Sequence, residues 1–133
     1  MKEEIWMMES HTTRMRFTAK VISGRGIGRM LGFPTLNFET PKNFKLAEGV
    51  YACSVNFAQR EWEGVLFFGK RKTFADTKSL EIHILDEVIK DTPTEVEATI
   101  VKRIRGIKKF PSQKELVIAI AQDCTKAREI LGN

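Results

Sequence analysis

Residues 49–68, GVYACSVNFAQREWEGVLFF, hold two runs rich in valine, phenylalanine, tyrosine and tryptophan, Gly49–Phe57 and Glu61–Phe68, separated by Ala58-Gln59-Arg60. Such side chains suit a pleated, half-buried surface, and the spacing is that of a β-hairpin with a short connection. Outward from this hairpin, Leu80–Leu85 alternates, with Leu80, Ile82 and Ile84 facing one way and Glu81 and His83 the other. A charged pair thus rides an otherwise apolar strand. Thr94–Ile104 predicts a further strand, with Val96, Ala98, Ile100 and Ile104 on one face and Glu95, Glu97, Thr99 and Arg103 on the opposite one. On the N-terminal side, Phe17–Ile22 reads as a first strand and Thr35–Phe38 as a second. Pro41–Glu48 is expected to be a loop, and the polar, basic Gly69–Ser79 a mobile one.

The C-terminal segment changes period. Ser112 followed three residues later by Glu115 forms a capping box ahead of apolar positions 116, 117, 120, 124, 127 and 131, and Gly132 follows as a stop. Such a helix needs a sheet to cover. Six strands followed by one amphipathic helix predict a closed antiparallel barrel with the helix packed on it, because closure removes the exposed edges of a small sheet.

A chain of 133 residues fits one domain and buries most of its apolar surface without disulfides. The expected division is a mobile extension over residues 1–13 and a single domain over 14–133. No apolar run is long enough to span a bilayer as a helix, and Met1–Thr13 lacks the apolar core of a secretory signal. No membrane partner is expected. Cys53 and Cys124 offer no metal-site spacing, and free buried thiols in a reducing cytosol are the expected state. A net charge of +5 suits either nucleic acid or an anionic nucleotide, and charge alone does not choose between them.

Between the first two strands lies Ser23-Gly24-Arg25-Gly26-Ile27-Gly28-Arg29, with glycine at three alternate positions and two arginines. Glycines let the backbone approach a ligand closely, and successive N–H groups in such a turn form an anion-binding concavity, for which a phosphate is the natural guest. The same composition also serves a plain hairpin loop. After Pro34, Thr35 and Asn37 stand two apart, so on a strand they share a face. Two neutral oxygens beside a phosphate cradle suit Mg²⁺, which takes oxygen ligands, keeps several waters and shares substrate phosphates.

Leu31-Gly32-Phe33-Pro34-Thr35-Leu36-Asn37, Gly49-Val50-Tyr51 and Leu80-Glu81-Ile82-His83-Ile84-Leu85-Asp86 occur in that order, followed by Ile104-Arg105, Lys109-Phe110, Gln122-Asp123 and Ala127-Arg128. In this the chain resembles the riboflavin kinase family over roughly Phe17 to Leu131. The resemblance implies a six-stranded, Greek-key-like barrel with a terminal helix, and ATP- and Mg²⁺-dependent phosphorylation of the riboflavin 5′-hydroxyl to FMN by a cytoplasmic, monomeric enzyme. It implies Glu81 as the catalytic base. Thr35 and Asn37 correspond to the Mg²⁺- and nucleotide-contacting pair, and Gly24, Arg25, Gly26, Gly28 and Arg29 to the phosphate-binding loop. Arg105, Lys108 and Phe110 fall in the segment that closes over the flavin, with Lys108 and Lys109 competing for the lysine role. His83 shares the face of Glu81, either as a satisfied structural residue or as one that orients it.

Three departures from the family pattern stand out. The chain has Phe67-Phe68-Gly69-Lys70-Arg71-Lys72-Thr73-Phe74 where the family commonly shows Asn-Ile-Gly-x-x-Pro-Thr-Phe, Asp91-Thr92-Pro93-Thr94 in place of Asp-Leu-Tyr-Gly, and Gly106-Ile107 where an acidic residue is usual. These keep a second reading open, a non-catalytic flavin- or nucleotide-binding module. A third, a basic barrel that binds single-stranded nucleic acid, fits less well, because most aromatics fall in apolar strand runs rather than among exposed basic residues. No nucleic-acid partner is expected. The sequence also carries no His-x-Gly-His nucleotide motif, so the reaction is expected to stop at FMN.

Overall fold

The computed structural model describes residues 14–22, 32–70 and 78–132. Six antiparallel strands, β1 (Met15–Ile22), β2 (Leu36–Phe38), β3 (Gly49–Phe57), β4 (Arg60–Lys70), β5 (Lys78–Ile84) and β6 (Glu95–Arg105), close into a barrel in the order β1-β2-β5-β4-β3-β6. Strands β3, β4 and β5 follow one another as neighbours, and β6 returns beside β3, which is a Greek-key path. Among the described residues one helix, α1 (Gln113–Leu131), packs on the outside against β3, β4 and β6.

Alternation along the strands sorts the side chains into two cores. Inward-facing Phe38, Cys53, Val55, Leu66, Leu80, Ile82 and Ile84 fill the barrel with other apolar residues, so the lumen is a packed interior rather than a binding cavity. Phe44, from the expected loop 41–48, closes one end of it, meeting Phe17 and Phe68 edge to face at 5.0 and 4.9 Å. Outward-facing Val50, Ala52 and Val65 form the second core with Cys124 and Ala127 of α1. Ser112 caps the helix as expected, its Oγ accepting from the Glu115 N–H at 3.2 Å. Gly132 ends the helix, but with an ordinary right-handed φ of −75°, so the stop does not draw on glycine's access to positive φ.

Three local expectations change. The hairpin connection is two residues, Ala58 and Gln59, both at positive φ (53° and 61°), and Arg60 already pairs with Phe57. The expected loop 69–79 is shortened at both ends, since Gly69–Ser79 and Lys70–Lys78 are ladder pairs. In β6 the pairing with β3 shifts register between Ala52 and Cys53 and again between Val50 and Tyr51, so that Ile100 faces Cys53, Lys102 faces Ala52 and Arg105 faces Val50. Each shift inserts one extra residue. Ile104 therefore leaves the face of Val96, Ala98 and Ile100, which line the barrel interior, and packs under the helix.

Candidate active site

The ladder registers lay several expected site residues in one outward-facing row. Ile22 lies opposite Asn37, Asn37 opposite Glu81, Glu81 opposite Phe67, Phe67 opposite Val50, and Val50 opposite Arg105. Glu81 and Asn37 are thus direct cross-strand neighbours, about 5 Å apart at Cα. Glu81 is only 8% exposed, which for a carboxylate on the outer face of a barrel reflects cover from another layer. Leu116, Ile120 and Asp123 of α1, with Lys108 and Phe110, border the same cleft as Glu81.

Between barrel and helix these layers leave a cleft of about 100 Å³. Thr35, Glu81, His83, Arg105, Lys108 and Phe110 border it, over apolar walls from Phe33, Val65, Phe67, Leu116 and Ile120. Lys108 borders the cleft and Lys109 is not among its lining residues. Phe110 is half-buried at the rim, with the Arg105 guanidinium 5.5 Å from its ring centre. Asn37 stands beside Glu81 at one edge of the cleft. Gly24, Arg25, Gly26, Gly28 and Arg29 lie outside the described residues, as does the expected extension 1–13. Two shallower depressions, of about 370 and 390 Å³, lie on the outer face of α1 and beside residues 39–42, and neither contains an expected site residue.

Arg105 is oriented by a partner that the sequence reading did not assign to the site. Its Nε and Nη2 donate to the two carboxylate oxygens of Asp123 at 2.9 and 2.7 Å, and its Nη1 donates to the Gly106 carbonyl at 3.1 Å. Asp123 is 5% exposed, so this fork-on-fork pair is largely out of water and fixes the guanidinium plane as well as its position. The available signal was an acidic residue inside the helix's apolar stripe, seven residues, or two turns, beyond Leu116. His83 was also left undecided between roles. Its Nδ1 is 2.7 Å from the Pro34 carbonyl oxygen, and its ring meets Phe33 edge to face at 5.6 Å.

Among the described residues no group of three or more His, Cys, Asp or Glu side chains stands ready to hold a metal. A cation at this edge of the cleft would take the Thr35 and Asn37 oxygens and complete its shell with phosphate and water. That donor set fits Mg²⁺ shared with a nucleotide and does not fit a resident zinc.

A family model described as Flavokinase: Riboflavin kinase matches residues 11–131. A bifunctional riboflavin kinase/FMN adenylyltransferase from Buchnera aphidicola subsp. Acyrthosiphon pisum is 36% identical over 110 residues, covering 80% of this chain. This chain spans 35% of that relative's length. Among solved structures, a chain described as a macrolide-efflux protein from Streptococcus pneumoniae is similar at a TM-score of 0.74 and 26% identity, over 87% of this chain and 39% of that one. Riboflavin kinase from Trypanosoma brucei shares the fold at a TM-score of 0.62 and 22% identity, over 90% of this chain and 81% of that one.

Proposed function

Because the chain belongs to the riboflavin kinase family, we propose that it transfers the γ-phosphoryl group of Mg²⁺-bound ATP to the 5′-hydroxyl of riboflavin, giving FMN and ADP. The observation that carries this reading is the placement of a shielded carboxylate, Glu81, on one cleft with Thr35 and directly across the ladder from Asn37. An alcohol kinase has to align its hydroxyl with the γ-phosphorus, spread the phosphate charge and accept the hydroxyl proton.

In this reading Glu81 takes the proton of the ribityl hydroxyl as its oxygen bonds to phosphorus and the bond to the β,γ-bridging oxygen breaks. Packing of Leu80 and Ile82 inside the barrel, both 1% exposed or less, keeps the carboxylate from swinging away. Thr35 and Asn37 would hold Mg²⁺, and the ion supplies charge neutralisation at the phosphates. Arg105, held flat by Asp123, offers its remaining face to the flavin ring, with Phe110 and Lys108 at the rim. The cleft of about 100 Å³ is well below the roughly 300 Å³ of a typical small-molecule site. Admitting a tricyclic ring therefore requires the lining side chains to move apart. Two free, buried cysteines support a reducing compartment such as the cytosol.

The test is FMN formation by the purified protein with riboflavin, ATP and Mg²⁺. Wild type turns over and Glu81→Gln loses at least about 100-fold, the usual contribution of a positioned base. No FMN above background, together with a Glu81→Gln variant indistinguishable from wild type, sinks the proposal. The altered segments at 69–74, 91–94 and 105–107 favour one other reading, a module that binds flavin or nucleotide without turnover. It predicts saturable quenching of riboflavin fluorescence with no product in the same samples.

A further inference from the structure

We propose that His83 is a positioning residue that sets the place of Thr35 through the main chain of Pro34, an inference that rests on the reading of the cleft as a nucleotide and riboflavin site. The Pro34 carbonyl, 2.7 Å from His83 Nδ1, can only accept, so Nδ1 carries the hydrogen. A planar peptide unit joins that carbonyl to the Thr35 amide. Fixing the oxygen therefore fixes the direction of the Thr35 N–H and the position of the Cα that bears its hydroxyl.

The segment needs such an anchor. Ladder pairing of β2 with β5 begins only at Leu36, opposite Ile82, so Phe33, Pro34 and Thr35 lie before the paired region. Pro34 has no amide hydrogen to donate, and Gly32 just ahead of it takes a φ of +89°. His83 meets this short stretch twice, by the hydrogen bond to Pro34 and by the edge-to-face contact with Phe33. On β5 it is the outward position next after Glu81. The strand repeat, about 6.6–6.8 Å for two residues, therefore sets the spacing between the carboxylate and the anchor of Thr35.

Asparagine places an amide nitrogen as many bonds from Cα as Nδ1, whereas leucine offers the same shape without a donor. At matched melting midpoints, amide hydrogen exchange at Thr35 and Leu36 is expected to be faster in His83→Leu than in wild type, and restored in His83→Asn. In turnover, His83→Leu is expected to raise KM for Mg²⁺-ATP about tenfold, the loss of one ordinary hydrogen bond, with KM for riboflavin changed by less than about twofold. His83→Asn recovers most of that loss. Equal exchange in all three proteins, or KM values for both substrates rising together without rescue by asparagine, overturns the inference. His83→Phe, which keeps a ring against Phe33, replaces the leucine variant if that one does not fold. Absence of turnover in wild type removes the functional reading, and the exchange comparison then still decides whether His83 anchors the Pro34 carbonyl.

Discussion

The Asp123 carboxylate accepts both of its short hydrogen bonds from Arg105, 18 residues earlier in the chain, and so ties the C-terminal end of β6 to the middle of α1. Removing one member of such a largely desolvated pair strands the other, so Asp123→Ala is expected to cost about 2–3 kcal/mol in denaturant unfolding. A double Arg105→Met/Asp123→Leu variant should unfold nearer to wild type, since neither charge is then left alone. Nearby, Arg128 shares its single Nε–H between the two Asp86 carboxylate oxygens and donates from Nη2 to Oδ1, and this pair is exposed. The hydrogen-bonded guanidinium holds the Asp86 carboxyl below its ordinary range, while slight burial opposes it. A carboxylate whose folded pKa is depressed adds stability above its unfolded value and loses it as pH falls through the folded value. Asp86→Asn, which tolerates the φ of +62° at this position, should therefore melt below wild type at neutral pH, with the gap closing in acid. Solvent limits the effect to about 1 kcal/mol or less. Both pairs escaped the sequence reading for one reason. Glu81 announces itself by standing between apolar strand neighbours, but a partner 18 or 42 residues away is visible only once the helix is laid on the sheet.

At the scale of elements, the β3–β4 hairpin turns through Ala58 and Gln59, both left-handed, a conformation that costs an L residue with a Cβ roughly 1–2 kcal/mol. Ala58→Asn with Gln59→Gly supplies the pair that this turn favours, and the double variant should gain about 1 kcal/mol in denaturant unfolding. No gain would mean that contacts beyond backbone preference hold the turn. The strands themselves were legible because period two with β-branched and aromatic residues is a strong signal. The turn was not, since Ala-Gln carries none of the chemistry that marks a left-handed two-residue connection, and the reading took in Arg60 as a third loop residue. The bulges in β6 were equally silent, because no glycine marks them and only pairing with β3 exposes the extra residues. The helix, by contrast, announced its start through Ser112 and its buried stripe through Cys124 and Ala127, and both stand as read.

For the whole molecule, the barrel wall separates two apolar interiors, and each holds one cysteine. Cys53 is completely buried in the lumen, and Cys124 is 4% exposed beneath the helix, on the other side of the wall. Burial pushes both thiols up, that of Cys124 against the opposing charge of Arg128. Neither should react with a thiol reagent in the native state, and both should do so at the rate of opening when denaturant is added. Rapid native labelling of either would contradict the packing. Closure of the sheet was predictable from strand count and the need to hide edges. The neighbour order β1-β2-β5-β4-β3-β6 was not available from residues alone, since a pattern of alternation says which face is buried and not which strand lies alongside. The gathering of Thr35, Glu81 and Arg105 on one cleft follows from that order.

The two extra residues in β6 have a further consequence, for how such a chain can change over time. Between Ile100 and Arg105 the strand spends five steps where an unbulged partner to β3 would spend three, and the two extra residues set how far along β6 the guanidinium opposite Val50 arrives. A point substitution there trims or swaps one side chain, whereas loss of a single codon removes one of the two extra residues and forces the strand to re-register against β3 ahead of Arg105. Along this stretch the gene stores geometry as a number of residues as much as a choice of them.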